Sequence, residues 1–306
     1  MAAVAARGWL KHQQTGNEVM TISPVNDEEM QQGTLSRADQ RCRWRRRDRR
    51  SGSGNVLMLH GAGVAADMTW EPMLPHLTAW RTFLMPDLRG MGETRDPDGE
   101  ERAFSLEQVV DDVAALLDTH DIPQCDVIGY SFGGLVAMRL KQRLGARIGR
   151  TMLLEPALLE REDHATMLRV RDGYADAAAR IREAATPQAG IVAFLDLIAP
   201  HRSRNPRAER MMVTRLARRP LGFANALDCV THAVRRLDRE ALLAAQRDVT
   251  SVVGGKSLAA MQAYHAELER RRADWTYRVL PGTDHSLPFQ KPRRLAALLQ
   301  EAAVTS

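Results

Sequence analysis

The sequence predicts an α/β fold: a mostly parallel sheet with helices on both faces and an inserted helical layer. Three observations predict it. Short apolar runs rich in β-branched residues alternate with helical periodicity, from residue 55 to 157 and again after 246. One run, Cys125 to Tyr130, stops at Gly129-Tyr130-Ser131-Phe132-Gly133, and a helical pattern begins at once. Residues 158–245 break the alternation, with Ala, Arg, Leu and Met at helical spacing and no convincing strand.

The elements follow in order. Residues 1–32 are polar and aperiodic and read as a flexible arm. Gly33 to Arg50 contains Arg41-Cys42-Arg43-Trp44-Arg45-Arg46-Arg47. Side chains alternate along a strand, so this reads as an outer strand with Cys42 and Trp44 inward and the arginines outward. A nucleic-acid arm is the competing reading, but the run is short and leads straight into another strand. Ser51 to Gly54 makes the turn. Asn55 to His60 is a buried strand ending in His60-Gly61-Ala62-Gly63, and Thr69 to Leu77 reads as a helix. Thr82 to Met85 is the next strand, closed by Pro86-Asp87-Leu88-Arg89-Gly90-Met91-Gly92. Ser105-x-x-Gln108 fits a capping box for a helix through Leu117. Cys125 to Tyr130 is the strand before Ser131, and Phe132 to Leu144 the helix after it. Gly129 and Gly133 remove Cβ atoms where strand and helix backbones converge. Thr151 to Leu154 is a strand ending at Glu155-Pro156. After the helical stretch come a strand at Val249–Val253, a helix from Leu258 to Arg272, a strand from Tyr277 to Leu280 and a helix from Pro292 to Ala303. Residues 33–157 and 246–306 thus make the core, and 158–245 an inserted cap.

Composition narrows the classes. The chain has 306 residues, 44% hydrophobic and only 5% aromatic, so the core is mainly aliphatic. The net charge of +5 comes from dispersed arginines and reads as a solvated basic surface, with no nucleic-acid partner. Cys42, Cys125 and Cys229 are widely spaced, which argues against a disulfide framework or a zinc site. No run of eighteen apolar residues exists, so no membrane span is expected. Arg7, Lys11 and His12 interrupt the N-terminus, which makes a poor signal peptide, and a cytoplasmic location is expected. Phosphate loop, dinucleotide fingerprint and metal-ligand spacing are all missing, so neither cofactor nor metal is expected.

Four motifs stand in order: His60-Gly61, Pro86-Asp87-Leu88-Arg89-Gly90-x-Gly92, the Gly-Tyr-Ser131-Phe-Gly-Gly turn, and Gly282-x-x-His285. Together they resemble the α/β-hydrolase superfamily over roughly residues 33–303. The resemblance implies the α/β-hydrolase fold with an eight-stranded sheet. It also implies that Ser131 is the nucleophile on its elbow and that His285, in the loop after the last strand, is its base. His60 is the rival base, but its place before Gly61 marks it as a structural loop histidine. The other histidines read as surface or packing residues.

The acid departs from the common pattern. Most relatives carry an Asp just after the seventh strand, where this chain has Ser257, which is expected to do no more than pack the loop. Asp284 adjoins His285 and points away from it, and Asp248 lies at the amino end of its strand. Glu155 ends the strand after the elbow helix, on the rim that carries Ser131. Met152-Leu153-Leu154-Glu155-Pro156 resembles haloalkane dehalogenases, which place their acid there, although their nucleophile is a carboxylate. The expected triad is Ser131, His285 and Glu155. The expected oxyanion hole is the backbone N–H groups of Phe132 and Ala62. Asp87 and Arg89 read as a loop-bracing pair. Arg202, Arg204, Arg207, Arg210, Arg215, Arg218 and Arg219 read as a solvated helix face rather than an anion site, with Leu, Met and Phe of the cap lining an acyl pocket.

The function these residues predict is a serine hydrolase that cleaves an ester or related acyl bond of a small molecule. Perhydrolysis by a cofactor-free haloperoxidase relative, acyl transfer and carbon–carbon hydrolysis use the same triad. A non-enzymatic ligand receptor on this fold is the alternative from another class.

Overall fold

The computed structural model describes residues 29–183 and 186–304. The expected N-terminal arm lies outside them up to residue 28. One eight-stranded sheet runs in the order β1-β2-β4-β3-β5-β6-β7-β8. Strands β1 (Gln31–Ser36), β2 (Arg41–Asp48) and β4 (Thr82–Pro86) pair antiparallel. Strands β3 (Asn55–Leu59), β5 (Cys125–Tyr130), β6 (Ile148–Leu154), β7 (Val249–Gly254) and β8 (Trp275–Leu280) continue from β4 in parallel.

The central strands read as continuous apolar runs because both of their faces are covered. Val56, Met58 and Ile128 point to one side, where α1 (Ala66–Trp70) and α11 (Pro292–Val304) cover them. Leu57, Leu59 and Val127 point to the other, against α2 (Leu106–Thr119), α3 (Phe132–Leu144) and α9 (Ala259–Arg271). The period-two alternation of side chains thus divides one run between two cores. Helix α2 starts at the Ser105 capping box: Gln108 N–H donates to Ser105 Oγ at 3.3 Å, and Ser105 N–H donates to Gln108 Oε1 at 2.9 Å.

Between β6 and β7 lie α4 (His164–Glu183), α5 (Gln188–Ile198), α6 (Pro206–Leu216), α7 (Pro220–Arg236) and α8 (Arg239–Ala244). Their shared core holds Tyr174, Phe194 and Phe223, with ring centroids 5.4 and 5.2 Å apart along the series. Ala62 and Val64 after β3, and Phe289 after β8, join the same cluster. The helical layer is therefore seated on the loops at the carboxyl ends of β3 and β8, the rim where open α/β sheets bind ligands.

Three local readings change, and one element is added. Residues 31 and 32 belong to β1, not to an arm. The expected helix from Thr69 to Leu77 is α1 followed by a separate 3₁₀ turn at Leu74–His76 with Pro75 at its start; proline supplies no N–H to continue α1. Cys42 and Trp44 are buried, but so is Arg45, whose Nη1 donates to Asp87 Oδ2 at 3.1 Å. A buried carboxylate can hold an arginine beneath the layer that covers the sheet, and period alone cannot reveal it. Finally, α10 (Leu287–Gln290) interrupts the segment between β8 and α11.

Candidate active site

Ser131 stands between β5 and α3 with φ +51° and ψ −112°, a region that side chains rarely occupy. The neighbouring strand holds it there. Ser131 N–H donates to Leu154 C=O at 2.9 Å, and Ala157 N–H donates to Ser131 C=O at 2.9 Å. The turn needs a missing Cβ at Gly133, since any atom there would strike the carbonyls of Leu59 and His60. Phe132 N–H opens α3 and has no carbonyl four residues earlier within the helix.

Glu155 follows β6 with φ +43° and is fully buried. Its N–H donates to Val252 C=O at 3.1 Å, which ties this rim to β7. His285 lies in the loop after β8. Its Nδ1 is 2.8 Å from Glu155 Oε2 and its Nε2 is 3.1 Å from Ser131 Oγ. With the proton on Nδ1 facing the carboxylate, Nε2 is left to accept from the serine hydroxyl. Structure thus brings Ser131, His285 and Glu155 into one hydrogen-bonded line. Asp284 is engaged elsewhere, with Ser286 N–H at 2.9 Å and the Gln290 amide at 2.8 Å. Asp248 sits just before β7, at its opposite end.

Ser257 corrects the sequence reading. It was expected only to pack its loop, yet its hydroxyl donates to Glu155 Oε1 at 2.5 Å, beside Gly254 N–H at 2.7 Å. Three donors therefore surround the buried carboxylate and offset the cost of taking a charge from water. The residue at the usual acid position holds the relocated acid in place. Its only sequence signal is the missing Asp.

His60 braces the other side. It is fully buried, and burial keeps its imidazole below the usual histidine range. Leu88 N–H donates to His60 Nε2 at 2.9 Å, while Nδ1 faces Gly61 C=O at 2.8 Å. That fixes the loop bearing Ala62, and a Cβ placed on Gly61 would lie 3.3 Å from Ser131 Cβ. Tyr130 adds a clamp: its hydroxyl donates to His285 C=O at 2.9 Å, and burial raises its phenol well above the usual range.

A strand–Ser131–helix elbow, a histidine after the last strand and an acid on the same rim are now in place. The sequence matches the alpha/beta hydrolase family over residues 56–298. The chain belongs to that family. Among curated relatives, it is 33% identical over 106 residues to a 2-hydroxy-6-oxo-2,4-heptadienoate hydrolase of Pseudomonas putida, covering 34% of this chain and 38% of that one. It is 34% identical over 110 residues to a 2-hydroxymuconate semialdehyde hydrolase of a Pseudomonas species, covering 35% and 38%. The matches span under two fifths of either relative. Among solved structures, an enol-lactonase from Burkholderia xenovorans superposes with a TM-score of 0.70 at 20% identity, over 88% of this chain and 99% of that one. A protein described with recognition and ring cleavage of the Pseudomonas quinolone signal gives 0.72 at 19%, over 90% and 100%. At such identities the structural likeness concerns the fold.

Two further readings of this α/β hydrolase need correction. Asp87 and Arg89 do not pair with each other. Asp87 accepts from Ala66 N–H at 2.8 Å, Glu93 N–H at 2.9 Å and Arg45, whereas Arg89 binds Asp112 and Asp39. Each braces a different loop. The arginines on the helical layer do not form one solvated face either. The Arg202 side chain is fully buried between Asp196 and Glu209, and Arg219 binds Glu101 at 2.6 Å. Arg207, Arg210 and Arg218 are exposed, and Arg215 is half-buried over the ring of Phe289. The three cysteines are free and buried, and burial pushes their thiols up to about 12, which disfavours the reactive thiolate. Among the described residues no helix is long and apolar enough to cross a membrane.

Proposed function

We propose that the chain is a serine hydrolase that cleaves an ester or related acyl bond of a small molecule through an acyl-enzyme. The Ser131–His285–Glu155 line carries this reading. A serine hydroxyl hardly ionises at neutral pH, and a base at 3.1 Å removes that obstacle. His285 Nε2 takes the Ser131 proton as Oγ attacks the acyl carbon. The oxygen that gains charge meets Phe132 N–H and Ala62 N–H, while Glu155 stabilises the imidazolium. His285 then returns the proton to the leaving group. Water, activated by the same nitrogen, releases the acyl group and regenerates Ser131.

The inserted helices serve in this reading as a cap over the site. Carbon–carbon hydrolysis is the second reading. Two partial relatives favour it, being hydrolases named for an oxo-dienoate and a semialdehyde rather than for an ester. A fluorophosphonate probe tests the common core of both readings. It should label the protein once, on Ser131, and intact-mass spectrometry with a slow aryl ester should show an acyl adduct. A folded protein that does not label would sink the enzyme reading and favour a ligand receptor. Rates on graded aryl esters against oxo-dienoic acids then separate the two chemistries.

A further inference from the structure

Of the seven arginines from Arg202 to Arg219, Arg215 is the one half-buried against an aromatic ring without a carboxylate partner. Helix α6 carries Met212, Arg215 and Leu216 at i, i+3 and i+4, which places them on one face. That face looks at the site. Met212 Sδ is 3.8 Å from Ser286 Oγ, next to His285. Leu216 presses on Gly63, next to Ala62. Between these two contacts, the Arg215 guanidinium lies 4.2 Å from the centroid of Phe289. Phe289 in turn stands edge-on to Tyr130 at 6.2 Å, and Tyr130 lies 5.4 Å from the His285 ring. An arginine is therefore held over the His285 loop, beside the loop of the expected oxyanion donor.

Among the described residues, no carboxylate forms an ion pair with it. Arg202, Arg204 and Arg219 are paired with Asp196, Glu209 or Glu101, while Arg215 has the aromatic ring alone. Burial and the neighbouring Arg218 both act against its charge. Partial desolvation without an anion is a standing cost, since buried charges are ordinarily paired. A guanidinium resting on a ring also keeps its N–H edge free to bind a carboxylate with two parallel bonds.

We infer that Arg215 is a recognition residue for substrate, and that the enzyme prefers acyl substrates with a carboxylate a few bonds from the cleaved carbonyl. This rests on the serine-hydrolase reading and adds the substrate class. The carboxylate would fill the vacant N–H edge of Arg215 while the acyl carbon sits at Ser131. The pair would be half-exposed, so it would weaken with salt.

The test uses two matched esters, mono-p-nitrophenyl glutarate and p-nitrophenyl valerate, in which a carboxylate replaces a methyl group. Wild type should favour the glutarate ester. Arg215→Gln should lower the ratio of kcat/KM for glutarate over valerate about tenfold, the lower end of what a charged hydrogen bond is worth. Arg215→Lys should keep part of the preference. Arg210→Gln, on the exposed side of α6, should leave the ratio within about twofold. A ratio unchanged in Arg215→Gln, or equally lowered in Arg210→Gln, would overturn the inference. Calorimetric binding of mono-p-nitrophenyl glutarate to Ser131→Ala repeats the test without turnover. Binding about tenfold weaker in Ser131→Ala/Arg215→Gln supports the inference, and equal binding refutes it. Failure of Ser131 to label would count against the enzyme reading alone.

Discussion

Replacing Ser257 by alanine probes the relocated acid most directly. Glu155 is fully buried and has three donors: His285 Nδ1 at 2.8 Å, Gly254 N–H at 2.7 Å and Ser257 O–H at 2.5 Å. The substitution removes one donor and leaves Oε1 with Gly254 alone. A hydrogen bond to a charged group contributes about 1.5–3 kcal/mol. Water cannot reach this carboxylate to replace it, so Ser257→Ala should destabilise the fold by about 1–3 kcal/mol. The freed carboxylate should also orient His285 less well, and kcat should fall about tenfold. Glu155→Gln should cost far more, on the order of 10²–10⁴ in kcat, because the charge opposite the imidazolium disappears and the amide can present N–H to Nδ1. Ser257→Asp alone would set two carboxylates face to face, which cannot both ionise comfortably, and should lose activity. Glu155→Gln with Ser257→Asp should recover at least tenfold over Glu155→Gln, with the glutamine amide donating to the new acid. The assay is kcat and KM on an aryl ester across pH 6–9, with unfolding followed by calorimetry. Wild-type stability and kcat in Ser257→Ala would refute the claim that Ser257 holds the acid.

Ser131→Ala should leave the fold intact and turnover below a thousandth of wild type; activity above that would exclude the acyl-enzyme route. His60→Ala removes the acceptor for Leu88 N–H and should cost about 1–3 kcal/mol and lower kcat, while fluorophosphonate still labels Ser131. Loss of labelling in a folded His60→Ala protein would make His60 more than a brace. His265 is fully buried near the rings of Tyr264 and Tyr277, and burial depresses its imidazole from 6.5 to about 3. Below pH 6.5 the unfolded chain takes up a proton that the folded chain refuses, so stability falls as pH drops towards 3. The loss between pH 6.5 and 4.5 should be about 2–3 kcal/mol, and His265→Phe should flatten that part of the stability–pH curve. An unchanged slope in His265→Phe would refute it.

The parts that depend on local chemistry are legible along the chain. Strand and helix periods, the capping box at Ser105 and the glycines around Ser131 locate the elbow, because each acts within a few residues. Order along the chain and the family resemblance then named His285 and Glu155. How distant side chains use their charge emerges from the folded arrangement alone. Arg45 looked exposed by strand period but is buried by Asp87, 42 positions away. Ser257 looked idle but bonds to Glu155 across 102 positions. Arg202, Arg215 and Arg218 read alike in sequence, yet one is buried and paired, one rests half-buried on Phe289 and one is exposed. Backbone propensity is set by near neighbours and can be read along the chain. The energy of a polar side chain depends on its desolvation and on the partner the fold brings to it, and neither exists before the chain has closed on itself.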